Sequence, residues 1–168
     1  YGLDNPITEP FGRQCLMARR LVERGVRFVQ LFHGGLGNQN TDTWDAHSNL
    51  KENHSQHAAE IDRPIAALMT DLKARGMLDD VIIMMSGEFG RTPRVNGNKG
   101  RDHWPSAAFF FIAGGGFQHG QVIGATNARG ERPKDNPVHL QHIFHTLYHQ
   151  LGIDCNTTTL MDANGRPQ

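Results

Sequence analysis

Cysteine is scarce in this chain: 168 residues contain only Cys15 and Cys155. Two thiols permit one disulfide at most and form no metal-binding pair, which excludes a disulfide-stapled scaffold and leaves the redox compartment open. Charge of one sign is also missing, since 17 Lys+Arg balance 17 Asp+Glu to a formal net charge of +0. With no basic surplus to neutralise a phosphate backbone, the composition argues against nucleic acid as a partner. Long hydrophobic runs are absent too. The longest, 81–85 and 107–113, fall far short of the length a membrane span needs. The chain opens Tyr1-Gly2 with no basic and apolar leader pattern, so no targeting segment is visible and the sequence reads as a C-terminal portion of something longer.

What is present points to a folded domain. Hydrophobic residues make up 38% and charged residues 20%, enough apolar surface for a core and too much for a disordered tail. Ten histidines is a high count, and 19 glycines imply many tight turns.

Local patterning predicts alternating helices and strands. Thr8-Glu9-Pro10 is a helix start, with Thr8 as a possible cap and proline in the first turn. Phe11, Cys15, Ala18 and Val22 then recur at helical spacing until Gly25. Residues 26–32 are β-branched and aromatic and read as a strand, followed by a loop over 34–44. A long helix is predicted from about 47 to 75, with Leu50, His54, Ala58, Ile61, Ile65, Leu68 and Leu72 as its stripe. Pro64 should kink or split that helix. Residues 81–86 form a continuous apolar strand of the kind buried on both faces of a sheet. A glycine-rich loop, 87–105, leads to a second such strand at 107–113. Residues 117–136 are turn-rich, with one short strand at 121–123, and Asn136-Pro137 opens a last helix that ends near Leu151.

This order places the chain in the α/β class, as a single domain over 1–168. Ligand sites of such sheets gather at the carboxyl ends of strands. Two polar clusters fall there: His33 with Asp42, Trp44, Asp45, His47 and His54, and Gly87-Glu88-Phe89-Gly90-Arg91-Thr92-Pro93. A third, Arg101-Asp102-His103-Trp104-Pro105, precedes its strand. It joins the same edge if 107–113 runs antiparallel to 81–86, which is how strands joined without a crossover helix pair. Asp45, His47, Glu88, Asp102 and His103 would then converge. Carboxylates and imidazoles together suit a Zn, Mn or Fe site, and Arg91 and Arg101 could hold an anionic substrate group.

Simpler readings stand beside these. Asp45 or Ser48 lies where a helix cap belongs, and Glu88 can pair with Arg91 or Arg101 on a solvated loop. His54 sits on an apolar stripe, where a buried, hydrogen-bonded histidine is the ordinary outcome. His57, one turn on from His54, lacks the glutamate of a zinc-protease helix. His142, His145 and His149 fall opposite the apolar stripe of the last helix and should face solvent. No nucleophile is evident: Ser86 lacks a Gly-x-Ser-x-Gly elbow, Thr92 and Ser106 flank prolines, and neither cysteine has a base beside it.

Six segments carry a resemblance. Residues 1–6 (Tyr-Gly-Leu-Asp-Asn-Pro), 19–30 (Arg-Arg-Leu-Val-Glu-Arg-Gly-Val-Arg-Phe-Val-Gln), 44–47 (Trp-Asp-Ala-His), 87–93, 100–103 (Gly-Arg-Asp-His) and 136–139 (Asn-Pro-Val-His) occur in this order. Together they resemble the C-terminal part of a sulfatase-like bacterial family labelled as a domain of unknown function, within the alkaline phosphatase superfamily. The resemblance implies a mostly parallel α/β sheet with helices on both faces and an antiparallel strand at 107–113, present here as a partial domain. It also implies a divalent metal (Zn, Mn, Fe or Ca), a small-molecule or polysaccharide phosphate or sulfate ester as substrate, and an exported or periplasmic location. Asp45, His47 and His103 best match one metal's ligands. Glu88-Phe89 stands where the second metal's Asp-His pair is normally found, and Asp102-His103 is a candidate for that pair displaced. The nucleophile and its companion Asp belong to an upstream segment. The alternative is a non-catalytic domain that keeps the scaffold and binds a ligand or partner.

Overall fold

The computed structural model describes residues 1–34 and 43–167. They form two compact units, Tyr1–His119 and Gly120–Gln168, and every candidate site residue lies in the first.

In the first unit, α1 (Glu9–Glu23) packs against α2 (Leu50–Ala74). Pro10 is tolerated because the first turn of a helix has no use for its missing N–H. Thr8 flanks the helix, but its buried hydroxyl donates to the Gly2 carbonyl (2.7 Å) and caps nothing. Phe11, Cys15 and Ala18 bury the helix's apolar stripe. Burial also raises the Cys15 thiol to about 11, which makes it an inert core residue. α2 continues without a break through Pro64, itself fully buried, so the expected split does not occur.

Arg19 lies in the same interface at 7% exposure, so its charge requires partners. Its Nε donates to Asp71 Oδ2 (3.0 Å), which also accepts the Tyr1 hydroxyl (2.7 Å). Arg75 Nε donates to Asp71 Oδ1 (2.7 Å). Burial alone would raise the Asp71 carboxyl, but Tyr1, Arg75 and Arg19 together bring it below its ordinary value. The same site pushes the Tyr1 phenol up to about 12, through burial first and the Asp71 carboxylate second. A lowered folded-state carboxyl stabilises the protein above its unfolded value of about 3.9 and loses that contribution as pH falls through the lower folded value. Urea midpoints of the wild type should therefore fall on acidification below about pH 4 more steeply than those of Asp71→Asn. At neutral pH the variant should be less stable by about 1–3 kcal/mol; parallel acid limbs would contradict the assignment.

After α2 the chain makes a 3-10 turn (Leu78–Asp80) and enters β1 (Ile82–Ser86). A loop follows that folds into a hairpin, β2 (Gly90–Arg91) against β3 (His103–Trp104), before β4 (Phe110–Gly114). β1 and β4 are antiparallel, with Ile82 opposite Gly114 and Ser86 opposite Phe110. No crossover helix separates them, which is how antiparallel neighbours are joined.

The expected alkaline phosphatase-like sheet, mostly parallel with helices on both faces, is overturned. Among the described residues the strands form three two-stranded antiparallel pairs, and the helices number three. Residues 26–32, expected as a strand, enter no sheet, and Phe28 is 79% exposed. Without that neighbour β1 is not buried on both faces: Met84 and Met85 are exposed. β-branched composition marks a segment as fit for a sheet; pairing depends on a partner elsewhere in the chain.

In the second unit, β5 (Ala125–Thr126) pairs with β6 (Pro133–Asp135), and α3 (Leu140–Gln150) follows. The short strand expected at 121–123 is not formed. Ile143 is buried while His142, His145 and His149 are exposed, as their helical positions require. No helix among the described residues is long and apolar enough to cross a membrane.

Candidate metal centre

Two segments meet to build the site. The first, 43–49, leads into α2. Neither Asp45 nor Ser48 caps that helix; it begins at Leu50, after Asn49 in a left-handed conformation (φ 46°). The amides of Asn49 and Leu50 donate instead to the carbonyls of Asn98 (3.1 Å) and Lys99 (3.0 Å). Loop carbonyls thus satisfy donors that a helix start leaves open, and they dock residues 47–50 on the second segment. That segment is the β2–β3 hairpin, whose register sets Arg91 opposite His103. Arg101 N donates to Ala46 O (3.0 Å) and extends the seam.

The seam brings three electron-pair donors together. His47 Nε2 lies 3.0 Å from Asp45 Oδ1 and 3.2 Å from His103 Nε2, and His103 Nε2 lies 3.0 Å from the same Asp45 oxygen. A tetrahedral ion with bonds of about 2.0 Å to nitrogen and oxygen sets its ligand atoms about 3.3 Å apart. The observed triangle has nearly that size, so these residues fit a small divalent ion. Their side chains are 45–48% exposed, and three protein ligands on an open surface leave a fourth position for water or substrate. Asp45 is held ionised: burial acts to raise its carboxyl, but His103, Arg91 and His47 bring it below the ordinary value.

The remaining expected residues take different places. Asp102 Oδ1 accepts from His47 Nδ1 (2.8 Å) and stands behind that ring. Arg91 pairs with Asp45 Oδ1 and lies over the Phe89 ring, which in turn packs on His103 with centroids 4.5 Å apart. Phe89 binds no ion, but it supports one ligand and the guanidinium. Glu88 is 67% exposed, 4.0 Å from Arg91 Nη2, and lies outside the three-residue group. Arg101 has a buried Nε with no hydrogen-bond partner among the described residues. His54 contacts the Trp44 carbonyl (3.3 Å) and its ring, as a structural histidine would. Asp42 lies outside the described residues.

Sequence reasoning did not single out a second group, His33, His57 and Glu60. Glu60 Oε2 meets His33 Nε2 (3.0 Å) and His57 Nδ1 (2.9 Å), and its other oxygen accepts from Gln56 (3.2 Å). Burial opposes ionisation of Glu60, but His57, Gln56 and His33 outweigh it and keep its carboxyl low. Here the Trp44 indole decides the chemistry. Its Nε1–H donates to His33 Nδ1 (3.0 Å), so in the neutral ring the proton sits on Nε2 and is given to Glu60. A ring with both nitrogens so engaged has no lone pair for a metal. The group is a hydrogen-bonded chain that fixes Trp44, the neighbour of Asp45. The i, i+3 spacing of His57 and Glu60 on one helix was a visible sign of half of it.

A model of the family described as "Protein of unknown function (DUF1501)" matches residues 1–168, and the chain belongs to that family. No curated protein and no solved structure matches it.

Proposed function

We propose that this DUF1501 member is a metal-dependent hydrolase domain acting on phosphate or sulfate esters of small molecules or polysaccharides, with a sulfatase-like ligand set. The observation that carries the reading is the open triangle of Asp45 Oδ1, His47 Nε2 and His103 Nε2, sized for an ion and exposed on one side. Two imidazoles and one carboxylate favour Zn, Mn or Fe over Ca, which takes six to eight oxygen ligands. Such an ion supplies Lewis-acid polarisation of an ester oxygen. The chain's part is to hold the ligands and orient the substrate. Arg91, beside Asp45, and Arg101, with its unpartnered Nε, would hold the anionic group.

A second reading, a metal-bearing domain that binds a ligand or partner without turnover, draws on the nearby hydroxyls. Ser86 Oγ donates to the Gly87 carbonyl (2.7 Å). Thr92 Oγ1 donates to the Arg94 carbonyl (2.9 Å) and accepts from Asp102 N (3.1 Å). Both are committed to loop structure, and neither is poised as a nucleophile.

The test is metal content by plasma mass spectrometry after chelation and dialysis against Zn, Mn, Fe(II) or Ca, followed by assays with aryl phosphate and aryl sulfate esters. About one equivalent of ion with metal-dependent ester cleavage is the expected result. Retention of none of the ions would overturn both readings; an ion bound without cleavage would leave the second.

A further inference from the structure

The Asp-His pair at 102–103 invites the reading that both residues bind metal. The geometry points to a division of labour instead: we infer that Asp102 is a positioning residue that holds the His47 ring in the one tautomer able to bind the ion. The inference rests on the metal reading above.

A neutral imidazole carries one proton on either of two nitrogens, and only the bare nitrogen can be a ligand. An ionised carboxylate accepts and never donates. Asp102 Oδ1, 2.8 Å from His47 Nδ1, therefore requires a proton on Nδ1, and in the neutral ring the lone pair is then on Nε2. Nε2 is the atom that meets Asp45 and His103. A carboxylate behind a metal-binding histidine is a recurrent outer support of such sites.

The support is itself built in. Asn96 Nδ2 donates both to Asp102 Oδ1 (3.2 Å) and to the His47 carbonyl (3.0 Å), tying the carboxylate and the His47 backbone to one side chain. Asn96 Oδ1 accepts the amides of Asn98 (3.0 Å) and Gly100 (2.9 Å). The Asp102 backbone is anchored on Thr92, whose amide donates to Asp102 O (2.8 Å) and whose hydroxyl accepts from Asp102 N. Asp102 is thus fixed by the hairpin and reaches across to the other segment. His103, next in the chain, faces the ion position directly. Asp102 does so only through His47.

Two measurements test this. The first is the ¹⁵N–¹H long-range NMR spectrum of the imidazoles in metal-free protein. When its ring is neutral, His47 should show a protonated Nδ1 and a bare Nε2, and Asp102→Ala should lose that preference. A ring protonated on Nε2 and bare on Nδ1 in the wild type would overturn the inference whatever the chain does with metals. The second is Co²⁺ titration by visible absorption, with Zn²⁺ competition. Asp102→Ala should bind about 10–100-fold more weakly. Asp102→Asn should fall between, because an amide oxygen accepts from Nδ1 but brings no charge. Equal affinity in all three proteins would overturn the inference and leave the metal site standing. So would a loss in Asp102→Ala as complete as that from removing Asp45, which would make Asp102 a ligand. A wild type that binds no ion defeats the metal reading itself, and the NMR result still decides the tautomer.

Discussion

Asp45→Asn is expected to remove metal binding almost completely while leaving the metal-free fold nearly as stable as before. Asp45 Oδ1 is the point on which both imidazole nitrogens and Arg91 converge. It is also the only anion in the triangle. Asparagine keeps the shape but offers a neutral oxygen, and its amide nitrogen is a donor that a cation repels. Loss of an outer partner costs about 10–100-fold in affinity, and loss of the single charged ligand should exceed that range. Stability in chelator should change little, because Asp45 is 45% exposed and exposed ion pairs are worth about 0–1 kcal/mol. The two effects separate in a melting experiment. With an ion at 100 times its dissociation constant the wild type gains about 2.7 kcal/mol, and the variant should gain almost nothing. An equal metal-induced rise in both proteins would show that the ion binds elsewhere.

Much of this arrangement was legible in the sequence, though unevenly. The ends of α1 follow from Pro10 and Gly25, and the antiparallel pairing of β1 with β4 follows from a glycine-rich connection with no helical pattern for a crossover. The first is a local fact, and the second follows from the absence of any helical pattern in the 87–109 connection rather than from its length. The expected parallel sheet failed because it needed residues 26–32 as a strand, and strand pairing is a long-range event that local composition does not encode. Pro64, expected to kink or split its helix, does not split it. A proline removes one helix hydrogen bond, and in α2 that loss does not interrupt the helix.

The site shows the same divide. Asp45, His47 and His103 could be named because carboxylate and imidazole are ligand types and the segments fell at strand ends. The role of Asp102 could not be read in advance. It depends on the β2–β3 register, which sets Arg91 opposite His103 and turns the neighbouring carboxylate toward His47 Nδ1. The chain from Trp44 through His33 to Glu60 and His57 was hidden for a similar reason. It joins the segment after α1, the segment before α2 and α2 itself, and only His57 and Glu60 are close in sequence.

A single methyl group set against the backbone behind a ligand should damage this site severely. Gly100 is buried where the hairpin loop touches the segment before α2. A Cβ there would lie 2.0 Å from the His47 carbonyl carbon, 2.1 Å from its oxygen and 2.4 Å from Ser48 N. All three are backbone atoms, so no rotamer change makes room and the two segments must part. Parting stretches the bonds from Asn49 N and Leu50 N to the Asn98 and Lys99 carbonyls, and that from Asn96 Nδ2 to His47 O. Overpacking of this kind and unmade bonds at a helix start together should cost Gly100→Ala about 3 kcal/mol or more. Metal affinity should fall as well, because His47 stands on one side of the seam and Asp102 and His103 on the other. Gly97→Ala, three residues away, is the control. Its Cβ would meet nothing within 4 Å, so urea unfolding and Co²⁺ titration should both match the wild type. If Gly100→Ala also matched, the seam would not be what holds His47 against Asp102 and His103. If it lost stability but kept full affinity, the ligands would be positioned by their own segments and not by the contact between them.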